Sequence, residues 1–261
     1  LNLQDSVRRK TWSNRNLLYA RGSVLDEDSR VLLNPSARLL YARGSVLDVL
    51  EMLTSSTHKI GDPKDVTPKE LPQPLEWKNA PVSSSIDGQA LTIAAGQSTD
   101  WFISPADGKA TANAPILLFT PTADFALQAK VRVEFGKQWD AGTLVVYAGD
   151  TTWAKLAFEL SVHGEPTIVS VVTREVSDDC NSEVIDGHSV YLQIAKVGRA
   201  LRFYWSTSGQ HWRLVRTFAL DESQPLRAGF GAQSPVGVGA TAVFSEIRYI
   251  AGAIHDVRKG E

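Results

Sequence analysis

Between residues 90 and 250 the chain falls into short segments that alternate apolar with polar residues and are cut by Gly, Pro, Asn and Asp. Alternation with a period of two is the signature of a strand with one buried face, and turn residues at these spacings leave no room for long helices. Strands are predicted near 91–95, 99–104, 115–119, 125–135, 142–148, 153–163, 167–174, 190–197, 200–206, 212–218, 227–233 and 240–250. Without any βαβ alternation, so many strands predict an antiparallel all-β sandwich or barrel. Phe125, Leu127, Ala129, Val131, Val133 and Phe135 form one buried stripe. Leu201, Phe203 and Trp205 form another, joined to Val190, Leu192 and Ile194 through the turn at 196–199. A further hairpin is expected at 206–212, where Gly209 can take positive φ and Trp212 can pack back over the turn.

The N-terminal region has a different character. Residues 17–26 recur letter for letter as 39–48. Two copies are too few for a solenoid, and structural repeats diverge at exposed positions, so verbatim identity reads as a recent duplication in a leader outside the core. Its alternative is a short amphipathic helix over 39–53, which Gly44 weakens. The expected organisation is a leader at 1–53, disordered or weakly helical, a Pro-rich linker at 54–74, the β-sandwich at 75–252 and a tail at 253–261. The only methionine, Met52, lies just past the second copy, and the first residue is Leu1, which leaves open a missing start.

The charges exclude some partners. Twenty-seven Lys and Arg against 29 Asp and Glu give a net charge of -2 with no basic stripe, so neither nucleic acid nor an anionic membrane is expected. No apolar run approaches the length of a spanning helix. The single cysteine, Cys180, rules out an intrachain disulfide and fits a reducing compartment, so a cytoplasmic location is expected. Acidic neighbours Asp178 and Asp179 disfavour its thiolate.

A set of motifs then points to a family. Asp124-Phe125, Trp139-Asp-Ala-Gly142, Val146-Tyr147, Trp153-Ala-Lys155, Phe158-Glu159, the Ser170–Thr173 and Ser177-Asp178 segments, the 206–212 turn and Gln233-Ser-Pro235 occur in order along 75–252. This pattern resembles the DUF1349 family, which includes a yeast member named as a regulator of enolase. The resemblance implies a concanavalin A-like jelly roll of two antiparallel sheets. Two positions depart from the family pattern: Asp179 stands where an aromatic often follows the Ser-Asp pair, and Ser208-Gly209 replaces Asp-Gly in the hairpin turn.

In a jelly roll one sheet curves, and its outward face makes a groove. On the predicted strand at 153–163, Ala154, Leu156, Phe158, Leu160 and Val162 point to the core, while Trp153, Lys155, Glu159 and His163 point outward. Alternation adds Thr143, Val145, Tyr147, Tyr191, Gln193, Arg202 and Tyr204 to the outward set, and Thr173 is included as a ligand contact. Aromatic rings beside placed donors and acceptors suit a sugar, whose C–H faces stack while its hydroxyls bond. The leading expectation is a carbohydrate-binding or carbohydrate-modifying domain centred on Trp153, Lys155, Glu159 and Tyr204. The bland reading is a solvated Lys155–Glu159 pair with tryptophans filling sandwich edges.

For hydrolysis of a glycoside two carboxyls are needed, and Glu159 with Asp140 is the expected pair. The Glu-x-Asp-x-x-Glu strand motif of jelly-roll glucanases is absent, which argues against that kind of glucanase. The acidic run at 177–187 lacks EF-hand spacing and is expected to be a solvated loop. His58, His163, His188, His211 and His255 have no zinc spacing, and no cofactor or metal is expected. The alternative function is a non-catalytic protein-interaction module regulating a metabolic enzyme, suggested by the yeast relative.

Overall fold

The structure, a computed structural model, describes residues 67–221 and 224–261 together with the backbone of three short N-terminal strands. The chain divides into two units, Leu1–Gly61 and Asp62–Glu261. In the first, β1 (Leu18–Ala20), β2 (Ser23–Leu25) and β3 (Val31–Leu33) pair antiparallel in sequence order. The helix considered for 39–53 lies outside the described residues.

The second unit is the sandwich. Its strands are β4 (Glu76–Lys78), β5 (Ser83–Asp87), β6 (Ala90–Gly96), β7 (Trp101–Ile103), β8 (Ala110–Ala112), β9 (Ile116–Phe119), β10 (Phe125–Glu134) and β11 (Ala141–Gly149). They continue as β12 (Thr152–Leu160), β13 (Pro166–Arg174), β14 (Val176–Val184), β15 (Ser189–Val197), β16 (Ala200–Ser206), β17 (Arg213–Phe218), β18 (Arg227–Gln233) and β19 (Gly239–Ala251). A first sheet runs β17-β16-β15-β10-β19-β6-β5 and a second β14-β13-β12-β11-β18-β9-β4, all neighbours antiparallel, while β7 and β8 form a separate hairpin. The expected two-sheet jelly roll is the observed fold. Among the described residues no helix is long and apolar enough to cross a membrane.

Alternation decides what lies between the sheets. Phe125, Leu127, Val131 and Val133 of β10 meet Leu144 and Val146 of β11 and Ala154, Leu156 and Phe158 of β12 in one core. Rings lock the layers together: Phe230 of β18 lies 5.2 Å from Phe244 of β19, edge to face. The strand predicted at 153–163 stops earlier, at Leu160; a turn follows in which Val162 and His163 are exposed. The acidic run expected to be a loop is instead the edge strand β14, whose mostly exposed side chains left no apolar alternation to read.

Each sheet also has an outer face, and each is partly covered. The β7–β8 hairpin lies over the second sheet, where Trp101 packs with Tyr147, Trp153, Val169 and Val171. On the first sheet the C-terminal tail does the covering: Ile254 and Val257 pack with Ala126, Ala195, Tyr204 and Trp212. Ahead of β4, a 3-10 turn at Pro68–Glu70 leads to Leu71, which is buried in the main core.

Candidate functional site

Where the hairpin ends, the second sheet opens into a cavity of about 290 Å³. Glu159 and Lys155 rise into it from β12, four residues apart on the same face, with Val169 and Val171 of β13 beside them. Gln233, at the end of β18, supplies a third polar side chain. Phe102 of the hairpin and Trp139, in the turn before β11, provide the aromatic walls. Asp179 and Asn181 enter from β14.

These polar groups are wired together. Lys155 is 3% exposed, and a buried ammonium needs partners. Its Nζ lies 3.0 Å from Asp100 Oδ1, in an ion pair, and donates to Gln233 Oε1 at 2.7 Å. Gln233 turns its amide nitrogen the other way, donating to the Trp139 carbonyl at 3.1 Å and reaching Glu159 Oε2 at 3.4 Å. One glutamine thereby connects lysine, glutamate and the tryptophan turn.

Glu159 is 9% exposed, and burial pushes its carboxyl from 4.5 up to about 8. Lys155 pulls the other way, but Asp100 and Asp179 add like charge that favours the protonated form. At neutral pH the group is therefore a carboxylic acid that can donate a hydrogen bond or a proton. The position where Asp179 departs from the family pattern thus falls in the cavity itself, with a carboxylate in place of a ring.

Trp139 combines two unusual properties. Its φ is 69°, in the left-handed region that a bulky side chain seldom adopts, and its side chain remains 38% exposed. A conformation of that kind costs on the order of 1–3 kcal/mol and persists only where the surroundings enforce it. Here they do: Trp139 N donates to the Leu160 carbonyl at 2.6 Å, and Gln233 holds its own carbonyl.

The sequence-predicted residues separate into groups. Lys155 and Glu159 face the cavity as expected. Asp140 does not line it: fully buried, its carboxylate accepts from Gly136 N and Lys137 N at 2.8 Å and from Ser234 Oγ at 2.7 Å, clasping the turn that presents Trp139. Trp153 has the predicted outward direction but lies under the hairpin, 1% exposed, its ring edge-on to Trp101 at 5.6 Å, so it offers no stacking surface. Tyr147 is also buried there, its hydroxyl donating to Asp150 Oδ1 at 2.6 Å. Thr173 is fully buried, and its hydroxyl pairs with Ser177 Oγ, which accepts from the hairpin nitrogen of Ile103.

Tyr191, Gln193, Arg202 and Tyr204 belong to the first sheet and so stand on the opposite side of the sandwich from Lys155. The single groove expected from all these residues is not formed, because alternation defines a face but not the sheet that carries it. Tyr204 donates to the Val257 carbonyl at 2.7 Å and Gln193 Nε2 to the Gly260 carbonyl at 3.0 Å, so the tail occupies that ground. The residues that sequence reasoning missed are Asp100, Phe102, Trp139, Asp179, Asn181 and Gln233. One signal was available for Gln233: on β18 it follows Gly229 and Gly231 at alternate positions, a stripe too small to be core and ending in a polar amide.

Residues 77–251 match the family described as "Protein of unknown function (DUF1349)", and the chain belongs to that family. Among solved structures it is similar to a functionally unknown protein from Saccharomyces cerevisiae, at 24% identity and a TM-score of 0.64, over 69% of this chain and 97% of that one. It is also similar to the GH43 BlXynB protein from Bacillus licheniformis, at 18% identity and a TM-score of 0.53, over 67% of this chain and 36% of that one. A xylan β-1,4-xylosidase from Bacillus halodurans shares 13% identity and a TM-score of 0.56, over 87% of this chain and 45% of that one. Likeness at these identities shows the fold. No curated protein matches the chain.

Proposed function

We propose that the protein binds carbohydrate in the cavity between Trp139, Phe102 and the Lys155–Gln233–Glu159 network. The observation that carries this reading is Trp139: a half-exposed ring, held in a strained backbone conformation, standing over a floor of buried hydrogen-bonding groups. A sugar ring stacks its C–H face on such an indole while its hydroxyls meet donors and acceptors below. Lys155 uses two of its three donors on Asp100 and Gln233 and has the third for a ligand oxygen. Protonated Glu159 adds a donor and Asp179 an acceptor. The occurrence of this fold within glycoside hydrolases of the GH43 group and a xylan β-1,4-xylosidase supports xylo-oligosaccharides as the first ligands to try. Calorimetric titration with xylotriose and xylohexaose, followed by a glycan array, tests the reading; absence of any glycan bound in the millimolar range or tighter overturns it.

One observation favours a second reading, hydrolysis. Glu159 has the raised pKa that a general acid needs, at about 8. The second carboxyl would be Asp100 or Asp179, since the carboxylate of Asp140 is committed to its turn. Release of reducing ends that disappears in a folded Glu159→Gln variant would establish this activity, and binding without release would leave the domain a lectin-like one.

A further inference from the structure

The opposite face of the sandwich carries a smaller opening, of about 180 Å³, beside the ground covered by the C-terminal tail. It is lined by Gln128, Tyr191, Glu246, Arg248 and the Ser208–Gln210 turn. Glu246 is the informative residue. Between β10 and β19 the register runs Gln128 opposite Arg248 and Lys130 opposite Ser245, so Ala129 alone faces both Glu246 and Ile247. This is a β-bulge, and its first residue, Glu246, sits at φ 48°. Bulges with a left-handed first residue ordinarily place Gly there, which takes that conformation without strain. A glutamate in this position is strained, and the bulge aims its carboxylate at the opening while Ile247 stays fully buried in the core. Trp139, likewise a non-glycine residue with positive φ, lines the cavity on the other sheet.

The carboxylate is also fixed in direction. Tyr191 donates its hydroxyl to Glu246 Oε2 at 2.7 Å, and Lys130 Nζ stands 3.1 Å from Oε1. A carboxylate has about four acceptor positions, so each oxygen retains capacity for a ligand. Gln128, held by its amide nitrogen donating to Gln193 Oε1 at 2.6 Å, lies beside it. The Ser208–Gln210 turn closes the other side, packed so tightly that a Cβ on Gly209 would come within 2.9 Å of the Tyr191 ring. Glu246 is paired with Lys130, and the guanidinium of Arg248 also lines the opening, so carboxylate and cation stand together there and a hydroxyl-bearing neutral ligand meets both acceptor and donor. The opening's volume is below the range typical of drug-sized ligands, which limits it to a small one.

We propose that this opening is a second binding site, on the first sheet, for a neutral polyol the size of one sugar ring, with a vicinal diol donating to Glu246. It is independent of the Trp139 cavity. The test is a titration of the full chain with methyl β-D-xylopyranoside, followed by two-dimensional amide NMR. Saturable shifts are expected at Gln128, Tyr191, Gly209 and Glu246. They should vanish in Glu246→Gln and weaken severalfold in Tyr191→Phe, and persist in Glu159→Gln. Absence of saturable shifts at those four amides in the millimolar range, or shifts that survive both Glu246→Gln and Tyr191→Phe, would overturn the proposal. Shifts confined to the Trp139 cavity would overturn it too, while leaving the first site standing. Because Gly suits the bulge, Glu246→Gly serves as a further variant: it should fold, melt no lower than the native chain and bind no glycoside at these amides, whereas unimpaired binding there would contradict the assignment.

Discussion

Lys155 Nζ lies 3.0 Å from Asp100 Oδ1, across 55 residues of sequence, and this pair joins the hairpin to the open part of the second sheet. Asp100 directly precedes β7, so the ion pair sets where the hairpin's cover stops and the cavity begins. The lysine is nearly inaccessible and the aspartate partly exposed, which makes the pair costly to break from the aspartate side.

Asp100→Asn should therefore destabilise the chain by about 1–3 kcal/mol, because it leaves a buried ammonium with Gln233 as its remaining partner. Lys155→Met in the same chain should recover most of that loss. Urea unfolding of the two single variants and the double variant gives the coupling directly. A coupling near zero would mean that the pair contributes nothing to holding the hairpin.

Glu159 predicts a pH dependence of stability. Its folded pKa of about 8 lies above the ordinary 4.5, so the unfolded chain gives up this proton first. Below about 4.5 the group is protonated in both states and carries no penalty. From there to about 8 the unfolded state ionises while the folded one does not, and stability falls with rising pH. Over that window the native chain should lose up to a few kcal/mol that Glu159→Gln does not lose. Unfolding midpoints of both chains at several pH values check this, and parallel curves would show that Glu159 ionises normally.

Gly229 predicts a packing effect. A Cβ there would collide with the Leu117 carbonyl on the neighbouring strand β9, and backbone cannot step aside as a side chain can. Gly229→Ala should cost about 3 kcal/mol or more, measured by thermal or urea unfolding. A change below about 0.5 kcal/mol, as at an ordinary surface site, would show that β9 and β18 are not in this register.

Much of this fold was legible because strand faces obey a period of two. The reading of β12 placed Ala154, Leu156 and Phe158 inside and Trp153, Lys155 and Glu159 outside, as found. What alternation cannot convey is which sheet a strand joins, since that depends on pairing between distant segments. Tyr191 and Gln193 have the same period as Lys155 but pair through β10 and β16 into the other sheet. Nor does it reveal what covers a face: Trp153 looked like a ligand platform until Trp101, over fifty residues earlier, proved to lie on it. Trp139 stands in one of the sequence motifs, but its place at the site comes from a backbone angle and a turn clasped by Asp140, and neither leaves a periodic trace. The edge strand β14 was missed for a related reason, its exposed acidic residues having no buried face to pattern.

The central claim is that Trp139 is held in strain to present a stacking ring to a sugar. Calorimetric titration of xylohexaose against the native chain, Trp139→Ala and Trp139→Gly, with unfolding midpoints of all three, measures both halves of it. Binding should weaken tenfold or more in both variants, about 1.4 kcal/mol, as expected for loss of a central aromatic contact. Trp139→Gly should be at least as stable as the native chain, since Gly takes a positive φ freely. Equal affinity in the native chain and Trp139→Ala would contradict the account.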